Sequence, residues 1–221
     1  MSEIDPARQD LLLRYRTLRQ ALHQHLNAAL KCARRSDLKD AARRIGLTID
    51  GNTIAANHAS ETNLAYDLAV FGQKTGSARA IDLYAASASY DDGTPEAITL
   101  KALQAAVFRV IRVKQRHKAL GNIVQDAFHQ GELWLIDEGL EMSSRSEQIF
   151  ALRLIPIDRF HTTVGAIVPL SQDTLTAAMI SLAAKRGKFD QSSGDDPNLP
   201  ETIYATAIEF GIMKSMTFAD S

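Results

Sequence analysis

Several residue types are scarce in this chain of 221 residues, and each scarcity excludes a class of protein. Cys32 is the one cysteine, so no internal disulfide can form, and we expect a reducing, cytoplasmic setting. Basic residues number 25 and acidic residues 26, so net charge does not draw the whole chain to nucleic acid or to a membrane. No window approaches about 18 uncharged apolar residues, and the N-terminus lacks the features of a secretory signal. We therefore expect no membrane partner.

Recognisable catalytic motifs are also missing. The sequence has no Walker-type glycine loop, no GxGxxG or GxSxG after a strand, no HExxH and no EF-hand pattern. We expect no metal and no cofactor, and an enzyme is the less favoured interpretation. The densest polar cluster near a strand end combines His161 with Asp158, which would suit a hydrolase whose aspartate orients a histidine base. A histidine satisfied by local hydrogen bonds is the favoured alternative.

The N-terminal part of the chain has the pattern of helices. Overall composition, with 45% hydrophobic and 23% charged residues, is that of an ordinary globular protein. The pair Asp5-Pro6 starts a long helix that we expect to run to about Arg34. The favoured interpretation is that its apolar seam packs on the rest of the monomer, and a dimer-forming helix is the alternative. The seam consists of Leu11, Tyr15, Leu18, Leu22, His25, Ala29 and Cys32.

Cap and turn residues divide the other helical stretches. The pair Asp50-Gly51 predicts a small hairpin. We expect residues 186–199 to form a mobile loop, and Phe210 to face the core on the last helix. The predicted starts of the remaining helices are Ser36, Ser60, Ser77, Thr94, Ser171 and Pro200.

The middle of the chain, from Phe108 to Pro169, has the pattern of a small β structure. Gly131 can supply the positive φ of a tight hairpin there. Five strands joined by short turns most naturally form an antiparallel meander that curls into a small barrel or packs against helices. The five candidate strands are 108–114, 121–128, 132–137, 148–155 and 160–168.

Charge is unevenly distributed along this middle region. Residues 101–120 contain six basic residues and no acid, whereas acidic residues concentrate in 121–150. Four of the basic residues alternate along a predicted strand and would project from one side, and the row could follow a phosphate backbone. The favoured alternative is that these charges protect an edge strand from aggregation, and that the acids are solvated or pair with them. The row comprises Arg112, Lys114, Arg116 and Lys118, preceded by Arg109.

The middle region also carries a resemblance. Its segments resemble uncharacterised bacterial proteins that join a helical N-terminal half to a small β-rich unit, and the likeness covers about residues 105–170. This resemblance implies an α+β layout and no particular activity. The segments are Gly121-x-x-Val124-x-Asp126, Gly131-Glu132-x-Trp134-Leu-Ile-Asp137-Glu-Gly139-Leu140, Ala151-Leu-Arg153-Leu and Thr162-Thr163-x-Gly165-Ala166.

The sequence therefore predicts an α+β protein with a helical N-terminal half, a five-stranded antiparallel β-meander or small barrel, and C-terminal helices. No linker-like composition separates 1–106 from 107–221, so we expect the two regions to share an interface and allow one continuous domain. The leading functional hypothesis is a non-enzymatic cytoplasmic protein that binds or regulates another macromolecule, with a protein partner or self-association through the first helix. The alternatives are nucleic-acid binding through the basic row and the hydrolase with His161 and Asp158.

Overall fold

The structure of the protein, a computed structural model, describes residues 6–51, 53–72, 77–187 and 191–215. Within these ranges the α-helices are α1 (Pro6–Cys32), α2 (Arg35–Arg44), α3 (Ala59–Phe71), α4 (Ala80–Ser87), α5 (Pro95–Gln104), α6 (Glu138–Ser143), α7 (Gln172–Arg186) and α8 (Leu199–Glu209). Two 3-10 helices, Gln191–Asp195 and Ile212–Ser215, flank α8. The strands are β1 (Thr48–Asp50), β2 (Thr53–Ala55), β3 (Val107–Arg116), β4 (Asn122–Asp126), β5 (Glu132–Leu135), β6 (Ile149–Ile157) and β7 (Phe160–Leu170).

Strands β3 to β7 close into a barrel in the order β3-β4-β5-β7-β6, whereas β1 and β2 form a separate hairpin. The α+β class and the small barrel are confirmed, and the five strands lie where the sequence predicted them. The purely antiparallel meander is wrong, because β7 lies between β6 and β5 and runs parallel to β5. The physical reason is α6, which connects β5 to β6 and allows β6 to return to the first strand of the barrel, β3.

Closure of the barrel changes the environment of β3. Residues 107–112 of this strand pair with β6, and residues 111–116 pair with β4. Strand edges are used up where a barrel closes. The expectation that basic residues protect an exposed edge is therefore wrong for Arg109 and Arg112, which lie in the part of β3 that pairs with β6.

Alternate residues of the strands fill the barrel with apolar side chains. The outward residues of β6, β7 and the first half of β3 are covered by helices, with α2, α3, α7 and α8 packed at one side and α1, α4 and α5 at the other. Leu140 of α6 packs into the interior cluster. The remaining interior residues are Ile111, Val113, Val124, Leu135, Phe150, Leu152 and Leu154, with Ile167 packed against them.

Helix α1 packs within the chain, which is the favoured interpretation of its apolar seam. Five seam residues are buried, and the helix lies against α4 and α5. Its outward side is polar apart from Leu13, which is 69% exposed. Arginines of α1 also reach the β barrel: Arg8 bonds to Glu141, and Arg19 donates to the backbone oxygen of Thr163.

Helix starts were predicted with mixed success. Thr94 and Ser171 cap their helices as expected, with side-chain oxygens accepting from the N–H groups of Ala97 at 3.2 Å and Thr174 at 3.1 Å. Pro200 lies in the first turn of α8, whereas Asp5 falls outside the described residues. The starts at Ser36, Ser60 and Ser77 are wrong. Helices α2, α3 and α4 instead follow Arg34, His58 and Arg79, none of which makes a capping bond. Packing of the buried helix faces decided these starts, because a cap contributes only about 1 kcal/mol.

Three local expectations need correction. In the β4–β5 turn the positive φ of 59° belongs to Gln130 and not to Gly131. Phe210 is 51% exposed, because α8 ends before it at Glu209, and Met213 of the following 3-10 helix is the residue that enters the core there. Part of the predicted loop 186–199 is ordered, since Gln191–Asp195 forms a 3-10 helix, while residues 188–190 lie outside the described residues.

Candidate functional site

The outer face of β4, β5 and the end of β3 is only partly covered by the helices: Trp134 packs at the border of the cluster that contains α1, α4 and α5, whereas Ile123 belongs to none of the apolar clusters. Cross-strand partners share a face, so two pairs of residues define it: Arg112 with Gln125, and Ile123 with Trp134. All four side chains are partly exposed. The second outward residue of β5, Glu132, is exposed and paired with Gln125 in the register. We call this part of the barrel wall the open face.

The predicted basic row does not lie on one face of the strand. A β-bulge between Val113 and Gln115 shifts the alternation. Arg112 pairs with Gln125 on the open face, but Arg116 pairs with Asn122, which is on the same side as the interior residue Val124. Simple alternation failed because a bulge inserts one unpaired residue. Arg116 is nevertheless exposed, because it stands at the rim of the barrel.

Two cations of the row share one carboxylate. Glu147 accepts from Arg112 at 3.3 Å and from Lys114 at 2.9 Å. These ion pairs hold the pKa of Glu147 below its usual range, the hydrogen bond from Lys114 being the largest cause. The expected pairing of acids with the basic row is confirmed at this position.

Glu147 is brought there by a turn that docks on β3. The N–H of Glu147 donates to the oxygen of Val113 at 2.7 Å, and the Ser146 hydroxyl donates to the oxygen of Lys114 at 2.9 Å. Glu147 itself has a φ of 68°, a left-handed conformation that is uncommon outside glycine. The turn also carries an exposed arginine, Arg145, which precedes Ser146 in the chain.

The structure thus assembles a basic surface at this rim. In the described part of the chain, no carboxylate lies within ion-pair distance of Arg116, Lys118 or Arg145, and all three are exposed. Sequence alternation could not include Arg145, because it is about 30 residues from the row along the chain. We define the basic surface as Arg112, Lys114, Arg116, Lys118 and Arg145.

An aromatic pair adjoins the basic surface. His117, in the β3–β4 turn between Arg116 and Lys118, stacks on Trp134 with ring centroids 4.1 Å apart and an interplanar angle of 26°. The indole N–H of Trp134 donates to the oxygen of Leu120 at 2.7 Å, which fixes the orientation of the ring. Desolvation, with a smaller effect of Lys118, lowers the pKa of His117. This shift favours the uncharged form of the histidine ring.

Arg109, the fifth member of the predicted row, lies elsewhere. Its Nε is 3.1 Å from Asp126 of β4, and its Nη1 donates to Asp195 of the first 3-10 helix at 3.0 Å. His129 lies between the same two carboxylates, with Nδ1 3.1 Å from Asp126 and Nε2 3.0 Å from Asp195. One sign of this cluster is visible in the sequence, the i, i+3 spacing of Asp126 at the end of β4 and His129 in the turn after it. The contact with Asp195 has no such sign, because that residue is far along the chain.

The two hydrolase candidates do not interact with each other. Asp158 is exposed in the β6–β7 turn and forms an ion pair with Arg14 of α1. His161 is half-buried, and among the described residues its buried Nδ1 has no hydrogen-bond partner. Desolvation lowers the pKa of His161. In this arrangement Asp158 does not orient the imidazole as a catalytic base requires.

Two absences hold for the described residues. No three histidine, cysteine or acidic side chains come together there in a group that would hold a metal ion. None of the helices in the same ranges has the length and apolar character needed to cross a bilayer.

The barrel defines the class of fold. Its strand order, its parallel contact between the third and fifth strands, and the helix after the third strand are similar to the OB-fold, a five-stranded Greek-key barrel. The chain belongs to a family of unknown function, DUF7986, whose model matches residues 9–197. No curated protein and no solved structure matches the chain.

Proposed function

We propose that this is a non-enzymatic cytoplasmic binding protein whose ligand is a nucleic acid, held through its phosphates by the basic surface. The observation that supports the proposal is the docked turn, which adds Arg145 to the cations at the end of β3. The basic surface then has five cations, of which Arg112 and Lys114 are paired with Glu147, although the whole chain has a net charge of -1. Such local cations bind phosphates largely by releasing the counterions of the nucleic acid.

The position of the basic surface agrees with the fold. In OB-folds the face of the second and third strands and the loop between the first two strands bind oligonucleotides. The corresponding parts here are the open face of β4 and β5 and the β3–β4 turn with Lys118. A fold by itself assigns no function. This agreement is therefore supporting evidence, and the main evidence is the basic surface.

The other hypotheses have weaker support. Self-association through α1 was motivated by its apolar seam, and that seam is used within the chain. The hydrolase was motivated by His161 and Asp158, and Asp158 is paired with Arg14. Neither feature presents a surface that is ready for a partner or substrate.

The proposal is tested by fluorescence anisotropy with end-labelled oligonucleotides of about 20 nucleotides at low salt. We expect saturable binding whose affinity falls steeply as salt is added, with a logarithmic slope of about 3 to 5 for this number of cations. Absence of binding to single- and double-stranded DNA and RNA at low salt would overturn the proposal.

A variant that removes two cations and a variant that removes an anion make this test specific. The double variant Arg116→Gln, Lys118→Gln removes two cations without breaking an ion pair, and we expect affinity to fall about tenfold and the salt slope by about 2. Glu147→Gln removes the carboxylate that pairs with Arg112 and Lys114 and should raise affinity. The matched control changes two exposed lysines on α1 and α5, Lys31→Gln and Lys101→Gln. If the control weakens binding as much as the test pair, the basic surface is not the site.

A further inference from the structure

The β3–β4 turn holds one aromatic ring rigidly in the middle of the basic surface. The N–H of His117 donates to the oxygen of Gly121 at 2.9 Å, and its Nδ1 accepts from the N–H of Ala119 at 3.2 Å. The ring is partly exposed and rests on Trp134, which packs in turn against Phe160 with centroids 5.8 Å apart. Both the position and the plane of the histidine ring are therefore set before any ligand arrives.

The surroundings of this ring are cationic. Arg116 and Lys118 are its chain neighbours, and both are exposed. A flat ring with an exposed cation on either side of it in the chain matches a nucleotide, which carries a planar base and an anionic phosphate. The turn as a whole thus combines the two contacts that proteins use for unpaired nucleotides, stacking and phosphate binding.

We propose that His117, supported by Trp134, is a stacking platform for an unpaired base, and that the ligand of the basic surface is single-stranded nucleic acid. This inference rests on the proposed function, since the phosphates are bound by the same surface. Bases in a duplex are stacked on each other and paired, so they cannot reach the ring unless the duplex opens. A single strand needs no such opening, and an aromatic ring accepts any of its bases because every base has a π-face.

Trp134 is the one tryptophan of the chain, so tryptophan fluorescence reports on binding at the platform. Titration with an unlabelled single-stranded oligonucleotide should quench the emission of Trp134, because the base stacks on the ring that covers the indole. A duplex of the same sequence, and a polyanion without bases such as inorganic polyphosphate, should compete for the basic surface but cause little quenching. We expect single strands to bind at least about fivefold more tightly than duplex, the smallest effect of one stacked base.

Substitution of the platform residue separates stacking from charge. His117→Ala should weaken single-strand binding about five- to a hundredfold, the range expected on losing one stacked base, and leave duplex binding unchanged. His117→Phe keeps a flat ring and should retain the preference. The matched control is His23→Ala, at an exposed histidine of α1.

The outcomes distinguish this inference from the proposed function. If single strands and duplexes bind equally, Trp134 is not quenched, and His117→Ala binds as the unchanged protein does, the platform is overturned while phosphate binding stands. If no oligonucleotide binds in the anisotropy test, the proposed function fails and this inference fails with it.

Discussion

Asp67 of α3 and Arg153 of β6 form an ion pair inside the protein. The Nε of Arg153 lies 2.9 Å from both carboxylate oxygens, and the two side chains are 0% and 7% exposed. Tyr204 of α8 donates its hydroxyl to Asp67 at 2.9 Å, while the rings of Phe71 and Phe108 lie beside the guanidinium. Burial raises the pKa of Asp67, and Arg153 opposes that rise. The pair joins helices of both halves of the chain to the barrel.

Breaking this pair on one side should be costly. Arg153→Met leaves the Asp67 carboxylate buried without its cation, so we expect the free energy of unfolding to fall by about 3–5 kcal/mol. The double variant Asp67→Leu, Arg153→Met removes both charges and should recover most of that loss. Urea denaturation followed by circular dichroism measures the difference. A loss below about 1 kcal/mol in the single variant would show that the pair is not a stabilising element.

Gly165 of β7 is expected to tolerate no side chain, because it combines two constraints. Its φ is 70°, and a Cβ there would collide with the carboxylate of Asp67. Gly187, at the end of α7, has a similar φ of 75° with nothing within 4 Å of a Cβ. Gly187→Ala should therefore cost about 1–2 kcal/mol of backbone strain, and Gly165→Ala about 1–3 kcal/mol more. Equal losses in the two variants, measured by thermal unfolding, would contradict the predicted collision.

Stability should depend on pH through His129. Hydrogen bonds to Asp195 and then Asp126 raise its pKa above 6.5, although Arg109 opposes this. A raised folded pKa means that the stabilisation is fully present below pH 6.5 and is lost as pH rises through the raised value. The pKa of Asp195 is lowered, mainly by its bond to His129, so its contribution is lost as pH falls through that lowered value. The cluster is therefore most stabilising between these limits.

The measurement is the urea midpoint of the protein and of His129→Ala from pH 5 to pH 8.5. The difference between them should shrink as pH rises. Asp195→Asn should reduce the same pH dependence, because it removes the main cause of the shift in the histidine. Parallel curves for the protein and His129→Ala would show that the contact is absent in solution.

Two helix caps that the sequence predicted equally, Thr94 and Ser36, differ in the structure. Thr94 caps α5 through its side chain, so Thr94→Ala should lower the free energy of unfolding by about 1 kcal/mol. Ser36, which the sequence equally suggested as a cap, is exposed within α2 and makes no capping bond, so Ser36→Ala should change it by less than about 0.5 kcal/mol. A loss at Ser36 equal to that at Thr94 would place the start of α2 at Ser36 after all.

Local patterns in the sequence were sufficient for the positions of most elements. The seam of α1, the five barrel strands and the caps at Thr94 and Ser171 were all predicted correctly. Each depends on residues within about one or two turns or one strand, where side-chain periodicity and capping act directly. The α+β class follows from the order of those elements alone.

The candidate site depended on contacts that sequence patterns do not reveal. The bulge in β3 moved Arg116 off the face of Arg112, and the docked turn added Arg145 and Glu147 to the basic surface. The stack of His117 on Trp134 was also missed, because His117 lies in the β3–β4 turn and Trp134 lies in β5, and the two rings meet only when β5 pairs with β4. In each case the partner lies far along the chain, and its position depends on register and closure.

Local periodicity establishes which stretches are helices and strands, because it decides which face of each can be buried. The order of the strands, the pairing of β3 with both β4 and β6, and the ion pairs made by the charges of its row depend on the folded chain. The physical reason is that strand order and ion pairing are set by the packing of distant segments, through the closing of the barrel and the docking of turns, and local propensity contains no information about either.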